Sequence, residues 1–179
     1  MQQFAATILR RCDAVELDWC LRINRWARNS GLRSLFAVVS RLGDGIFWYA
    51  LMLLLPLAFG RTALIPALQM LITGALGVLA YKWLKRRLVR ERPYVAHAAV
   101  HCALPPLDRY SFPSGHTLHA VSFTVLALHY FPELTPLLVP FAALVALSRV
   151  VLGLHYPSDV AAGGTIGLAL ALASLAVTG

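Results

Sequence analysis

Five long apolar runs, separated by polar links, dominate the pattern of hydrophobic and polar positions in the 179-residue chain. They cover residues 45–60, 62–82, 115–131, 136–152 and 160–178. A helix that spans a bilayer needs about 20 mostly apolar residues, with about 17 as a lower limit. The first run reaches this length when it is extended backward through Leu35–Val39. The pattern therefore predicts an all-α integral membrane bundle with about five transmembrane spans.

Residues 4–30 have a different pattern, in which apolar and charged residues are interleaved. This pattern predicts one or two helices in the membrane interface, anchored by Trp19 and Trp26, with a solvated N-terminal arm as the alternative. The same charges interrupt any apolar core of a secretory signal, so none is expected. We predict a single domain over 1–179, with an interfacial segment at 1–34 and the helical bundle at 35–179.

Composition supports a membrane protein, because 59% of the residues are hydrophobic and only 13% are charged. The formal net charge of +8 comes from 14 Arg and 2 Lys against 8 acidic residues, and it first suggests a nucleic-acid partner. However, the basic residues gather beside the apolar runs, as they do in membrane proteins. No nucleic-acid partner is therefore expected. The three cysteines lack metal-site spacing and are expected to be ordinary thiols.

The unusual polar residues lie at four span ends that meet on one side of the membrane if the spans alternate in direction. The first cluster, Lys85–Pro93, follows the second run, and lipid head groups alone would favour its basic residues. Lys85 and Arg92 are seven residues apart, or two helical turns, so we predict that they share one helical face. Pro93 is expected to end that helix. Two cations on one face suit a phosphate.

The second cluster, Phe112–His116, precedes the third run. Ser114 is predicted to cap the helix, and Gly115 lets another group approach the backbone closely. Free amides at a helix N-terminus bind anions, and His116 would stand beside such an anion in the first turn. A plain helix cap with an incidental histidine is the alternative.

The third cluster comprises Ser148 and Arg149, followed by His155–Asp159. A charge within an apolar run is costly, so Arg149 indicates a functional site. Pro157 is expected to open the last helix, which leaves His155 just outside it and puts Asp159 in its first turn. Such an aspartate can hold an imidazole in one tautomer and leave the other nitrogen free to attack. The alternative is that Asp159 only caps the helix.

The three clusters fit the patterns K-x6-R-P (Lys85 to Pro93), P-S-G-H (Pro113 to His116) and S-R-x5-H-x3-D (Ser148 to Asp159). Together they resemble the signature motifs of the type-2 phosphatidic acid phosphatase superfamily, which also includes the vanadium haloperoxidases. The resemblance covers about residues 40–179, although the family often has six spans. The residues flanking the motifs are similar to those of bacterial undecaprenyl pyrophosphate phosphatases and decaprenylphosphoryl-phosphoribose phosphatases.

The resemblance implies a role for each matching residue. His155 would be the nucleophile, Asp159 would orient it, and His116 would protonate the leaving oxygen and later activate water. The phosphate would be held by Lys85, Arg92, Arg149 and the amides near Ser114 and Gly115. No metal or other cofactor is expected.

The implied activity is metal-independent hydrolysis of a lipid phosphate or pyrophosphate through a phosphohistidine, with the bilayer and the lipid as partners. Phosphatidic acid, phosphatidylglycerol phosphate, isoprenyl pyrophosphates and isoprenyl phosphosugars all stay open as substrates. A phosphotransferase with an acceptor other than water is the alternative. The five apolar spans argue against a soluble haloperoxidase. The complete set of catalytic residues argues against a lipid-binding scaffold with a dead site.

Charge also predicts the side of the membrane that the site faces. If one span precedes Gly60, twelve cations lie on the side of the site and only Arg61 lies on the other. The twelve are Arg10, Arg11, Arg22, Arg25, Arg28, Arg33, Arg41, Lys82, Arg86, Arg87, Arg90 and Arg109. Because cytoplasmic loops carry the excess of Lys and Arg, we expect a cytoplasmic site in a bacterial inner membrane. An enzyme that recycles undecaprenyl pyrophosphate would instead face outward.

Overall fold

The computed structural model describes residue 13 and residues 15–178, and this part of the chain is helices and connecting loops. Helix α1 is described over residues 15–24. The others are α2 (Ser30–Arg41), α3 (Phe47–Phe59), α4 (Leu64–Arg87), α5 (Pro93–Ala96), α6 (Gly115–Tyr130), α7 (Thr135–Val151) and α8 (Pro157–Thr178). The predicted all-α class is confirmed.

Within the described residues, four stretches are long and apolar enough to cross a membrane. They are Ser30–Phe59, Arg61–Arg87, Pro132–Val151 and Pro157–Val177, and they contain four of the five predicted spans. The fifth, α6, has 16 residues. At 1.5 Å per residue it is about 24 Å long, shorter than the hydrocarbon core of about 30 Å. A fifth crossing therefore stays a prediction.

The first span is one bent helix, since a π-helical segment, Leu42–Ile46, joins α2 to α3. At its centre Gly45 has φ of 137°, a conformation that a side chain disfavours. A Cβ on Gly45 would also lie 2.9 Å from the Tyr49 ring. The bend matters for the site because Asp44 lies within it, and such bulges are frequent at functional sites.

Helix α6 is the central helix and packs against α4, α7 and α8. Its contact with α8 is close because α8 presents glycines: a Cβ on Gly163 would lie 2.4 Å from the Ser114 carbonyl oxygen. A Cβ on Gly167 would lie 2.3 Å from that of Leu118. Small residues allow this approach of two helix backbones in a membrane bundle. The contact places the start of α6 beside the start of α8, where the second and third motifs lie.

The N-terminal segment packs against the site end of the bundle. The side-chain amide of Asn24 donates to the carbonyls of His101 and Val151, each at 2.9 Å, and Cys20 and Ala27 are buried. Trp19 and Trp26 are 61% and 46% exposed, as anchors in an interface would be. An interfacial position stays a prediction, and residues 4–12 lie outside the described part of the chain.

Candidate active site

A cavity of about 980 Å³ is lined by residues of the bend after α2, of α3, α4 and α6, of the loop before α6, and by Arg149 and His155 at the end of α7 and just after it. Six of the eight predicted site residues line it: Lys85, Arg92, Gly115, His116, Arg149 and His155. Asp159 and Ser114 are completely buried next to it. The tertiary structure thus brings the three motifs to one place.

His155 and Asp159 form a buried pair. As predicted, α8 begins at Pro157, which puts Asp159 in its first turn. Oδ2 of Asp159 lies 3.5 Å from Nδ1 of His155 and accepts a hydrogen bond of 2.8 Å from the Tyr156 amide. Nε2 of His155 is therefore the nitrogen that faces away from Asp159, 3.4 Å from Nη1 of Arg92. Burial, together with the charges of Arg92, Arg149 and Lys85, lowers the pKa of His155, which favours the neutral imidazole.

Arg90 holds the far side of Asp159, a contact that the sequence interpretation missed. Its Nη1 donates to Asp159 Oδ1 at 2.6 Å and to Ser158 Oγ at 2.7 Å, while Nη2 donates to Asp13 Oδ1 at 2.6 Å. The guanidinium also lies 4.0 Å from the centre of the Tyr156 ring. Sequence gave no signal for this role, because Arg90 stands among several basic residues of one membrane-flanking cluster.

Lys85 and Arg92 converge, but not through a shared helix. Helix α4 ends at Arg87, and Pro93 opens α5 with Arg92 in an extended conformation. The prediction that the two cations share a helical face is therefore wrong, because Pro93 takes the first position of a new helix. They meet instead at Asp108, whose Oδ1 accepts from both Lys85 Nζ and Arg92 Nη2 at 2.7 Å.

Asp108 is a second residue that the sequence interpretation missed. It lies in the long loop between α5 and α6, where nothing in the sequence marks one aspartate as a partner of the first motif. Burial raises the pKa of this carboxyl, but the hydrogen bonds and charges of Lys85 and Arg92 outweigh that effect and lower it. Asp108 is therefore ionised at neutral pH.

His116 is held by Asp44, a third residue that was missed. Ser114 caps α6 as predicted, with its side chain accepting from the Thr117 amide, and His116 follows in the first turn. Nε2 of His116 contacts Oδ1 of Asp44 in the bend of the first span. The sequence did mark Asp44, because it is the only acidic residue between Asp18 and Glu91 and directly precedes an apolar run.

Arg149 is buried at the end of α7, and its Nη1 donates to Ser40 Oγ. Its Nε is buried without a hydrogen-bond partner among the described residues. Buried polar groups are normally paired, so this donor is available to an anion in the cavity.

Ser114 does not enter the cavity wall. Its amide donates to the Asp159 carbonyl at 3.0 Å, and its side chain is used in the cap. Of the two residues whose amides were predicted to bind phosphate, Ser114 and Gly115, only Gly115 lines the cavity. Direct binding of phosphate by Ser114 stays a prediction, while its position explains how α6 is fixed to α8.

The cavity has an apolar wall and a basic mouth. Leu71, Ala75, Val78 and Leu79 line it from one face of α4, and Tyr49 and Met52 line it from α3. Three exposed cations also line it: Lys82, Arg86 and Arg109. No group of three or more His, Cys, Asp or Glu residues that could hold a metal occurs in the part of the chain that the structure describes.

The comparisons with known proteins agree with this geometry. The family model of the PAP2 superfamily matches residues 62–179, which contain all eight predicted site residues. The chain is 35% identical over 133 residues to undecaprenyl-diphosphatase BcrC of Bacillus subtilis, covering 74% of this chain and 67% of that protein. It is 36% identical over 127 residues to decaprenylphosphoryl-5-phosphoribose phosphatase of Mycobacterium tuberculosis, covering 68% and 66%.

A solved structure gives the same result for the fold. The crystal structure of LpxE from Aquifex aeolicus superposes with a TM-score of 0.79 at 26% identity, covering 90% of this chain and 95% of that one. The resemblance that the three motifs indicated is thus confirmed by sequence and by structure. The chain belongs to the PAP2 superfamily and is a membrane phosphatase.

Proposed function

We propose that the protein hydrolyses a lipid phosphate or pyrophosphate through a phosphohistidine at His155. The observation that carries this proposal is one cavity lined by His155, His116 and three buried cations, with Asp159 behind His155. A neutral imidazole faces the cations, as nucleophilic attack on a bound phosphate requires.

In the first step, the lone pair on Nε2 of His155 attacks phosphorus, and the bond from phosphorus to the leaving oxygen breaks. His116 donates a proton to that oxygen, and Asp159 stabilises the imidazolium that forms. In the second step, water gives a proton to His116 and attacks phosphorus, and the P–N bond breaks to release inorganic phosphate. Lys85, Arg92 and Arg149 neutralise the equatorial oxygens, which is the main demand of phosphoryl transfer.

The wall of the cavity supports a lipid substrate. Apolar side chains of α3 and α4 line the cavity, and Leu53 and Leu57 of α3 are exposed on the surface of the bundle. An acyl or isoprenyl chain can lie along this face while its head group reaches His155. The lipid chain would then enter the cavity sideways, from the bilayer.

The mouth of the cavity supports an isoprenyl pyrophosphate as the substrate class. Six basic side chains and two carboxylates line the cavity, whereas one phosphate group carries about two negative charges at neutral pH. Lys82, Arg86 and Arg109 can bind a second phosphate outside the first. The names of the two relatives, an undecaprenyl-diphosphatase and a decaprenylphosphoryl-phosphoribose phosphatase, also favour isoprenyl substrates.

The test is phosphate release from purified protein in detergent with a chelator present, across four lipids. They are phosphatidic acid, phosphatidylglycerol phosphate, an isoprenyl monophosphate and an isoprenyl pyrophosphate. We expect the pyrophosphate to be hydrolysed with the highest kcat/KM, and we expect His155→Ala to release no phosphate. Wild-type rates in His155→Ala, or activity that depends on an added divalent ion, would contradict the mechanism.

A matched pair of variants tests the basic mouth. Arg86 lines the cavity, while its neighbour Arg87 lies outside the lining and stacks near the Trp83 ring. Arg86→Gln should lower kcat/KM for the pyrophosphate more than for the monophosphate. Arg87→Gln should leave kcat/KM unchanged for both substrates. Equal effects of the two variants would show that general surface charge, rather than a second phosphate position, attracts the lipid.

A phosphotransferase would use the same intermediate with an acceptor other than water, so products rather than geometry separate the two activities. Incubation with a lipid phosphate and an added alcohol acceptor, followed by analysis of both products, decides between them. We expect inorganic phosphate as the product.

We also propose an inner-membrane location with the site facing the cytoplasm, so that the isoprenyl pyrophosphate it hydrolyses would be one present in the cytoplasmic leaflet rather than one recycled on the outer face. Within the described residues one candidate span precedes Gly60, and Ser40 and Asp44, on the early part of that span, contact site residues. With one crossing before Gly60, the site would lie on the same side as the N-terminal cations, which supports the orientation that the charge count predicts.

A further inference from the structure

Asp108 is bound by two cations of the predicted phosphate clamp, Lys85 and Arg92. Lys85 Nζ donates to both carboxylate oxygens, at 2.7 and 2.8 Å, and to the Tyr110 carbonyl at 2.8 Å. An ammonium group has three donors, so Lys85 has none left for a substrate. Arg92 donates from Nη2 to the carboxylate at 2.7 Å and from Nε to the Asp108 carbonyl at 3.1 Å.

The two cations need an anion at this place. Lys85 and Arg92 are both buried, and a buried cation without a partner is strongly disfavoured. Asp108 is the carboxylate that pairs with both of them. A phosphate would supply the same negative charge and the same acceptor geometry, because both groups offer several oxygens to a lysine and an arginine. Carboxylate and phosphate therefore compete for one position.

The segment that carries Asp108 is a loop that is held by backbone hydrogen bonds at both ends and, between them, by the bonds from Lys85 and Arg92 to the Tyr110 and Asp108 carbonyls. It is fixed at one end by the bond from the Ala103 amide to the Leu152 carbonyl, at 3.2 Å, and at the other by that from the Ser111 amide to the Arg90 carbonyl, at 2.9 Å. Between these anchors residues 104–110 form no helix or strand. The side chain of Asp108 is 39% exposed, and Leu107 is 71% exposed.

We propose that Asp108 is an exchangeable internal anion, which holds Lys85 and Arg92 in place until the substrate phosphate displaces it. The carboxylate returns as inorganic phosphate leaves, so it lowers the affinity of the site for its product. Asp108 is a positioning residue in this cycle and takes no part in bond making. The inference rests on the proposed role of Lys85 and Arg92 in phosphate binding.

The test is the competitive inhibition constant of inorganic phosphate in Asp108→Asn. Because a charged competitor is lost, we expect that constant to fall about tenfold, as for the loss of one charge-assisted hydrogen bond. A residue that only supports the two cations would give the opposite result, with weaker phosphate inhibition and a higher KM. That result, or an unchanged constant, would overturn the proposal.

The matched control is Glu91→Gln, which removes one negative charge from an exposed position next to Arg92 and outside the cavity lining. It should leave the inhibition constant unchanged, and an equal fall there would show a general effect of charge. Wild-type protein that releases phosphate from no lipid would instead reject the proposed function.

A measurement on the wild-type protein covers the case in which Asp108→Asn fails to fold. Arg109 is exposed and follows Asp108, so trypsin can report on the segment. Orthovanadate, which takes the place of phosphate, should speed cleavage after Arg109 and leave cleavage after Arg61 unchanged. Cleavage after Arg109 that is unchanged or slowed would contradict displacement of Asp108.

Discussion

Asp159→Asn is the substitution that most directly tests how the site sets the state of His155. The carboxylate is completely buried and uses both oxygens: Oδ1 accepts from Arg90 at 2.6 Å, and Oδ2 accepts from the Tyr156 amide at 2.8 Å. Oδ2 also lies 3.5 Å from Nδ1 of His155, a distance that can shorten when substrate binds. A carboxylate at this position favours the tautomer of His155 with the proton on Nδ1 and the lone pair on Nε2.

An asparagine has the same shape but cannot meet these demands in either orientation. If its NH₂ replaces Oδ2, it meets the Tyr156 amide donor and can donate to His155 Nδ1, which moves the imidazole proton to Nε2. If its NH₂ replaces Oδ1, it faces the Arg90 guanidinium, another donor, in a buried position. The first orientation removes the nucleophilic lone pair, and both remove the charge that stabilises the imidazolium.

We expect kcat to fall about 10³- to 10⁴-fold, the cost of a comparable change in other histidine-based sites. KM should change little because Asp159 does not line the cavity. The assay is phosphate release in detergent under substrate saturation, with a thermal unfolding measurement to confirm folding. Asp18→Asn, which removes an exposed carboxylate paired with Arg22, is the control for lost charge. A folded Asp159→Asn protein with kcat within tenfold of wild type would refute the reasoning.

Three further predictions concern packing, pH and sidedness. Gly167→Ala should lower the unfolding temperature and the activity, because its Cβ would lie 2.3 Å from the Leu118 carbonyl oxygen. The overpacking should lower the free energy of unfolding by about 1–3 kcal/mol. Gly164→Ala, whose Cβ has its nearest neighbour at 3.7 Å, is the control and should be tolerated. Because burial lowers the pKa of His155, the unfolded state binds one proton more below about pH 6.5. Stability should therefore fall as the pH falls below about 6.5, and His155→Gln should lack this loss in thermal unfolding. An equal loss in both proteins would contradict the buried neutral imidazole. Finally, a single cysteine at Pro105, with the native cysteines replaced, should resist a membrane-impermeant thiol reagent in intact cells, and labelling from outside would reverse the assigned orientation.

The apolar runs and motifs were sufficient to predict the class of the fold and six residues that line one cavity. Span-length hydrophobic stretches can be read locally, because in a bilayer each must satisfy its own backbone as a helix. The caps at Ser114 and Pro157 are also local features, so the starts of α6 and α8 were predicted correctly. Three motifs in order were specific enough to identify the superfamily.

The partners of those motif residues were decided by tertiary structure alone. Asp44, Arg90 and Asp108 contact His116, Asp159 and the Lys85–Arg92 pair across separations of 72, 69 and as much as 23 residues. No local pattern marks such pairs, since each depends on where the bend in the first span and the loop before α6 place a side chain. The same reason explains the wrong helical face for Lys85 and Arg92. A spacing of seven residues puts two side chains on one face only within a single helix. Where α4 ends depends on what its last turn packs against. Sequence determined which residues were proposed to meet phosphate, and the packing of the bundle decided which charged side chains contact them.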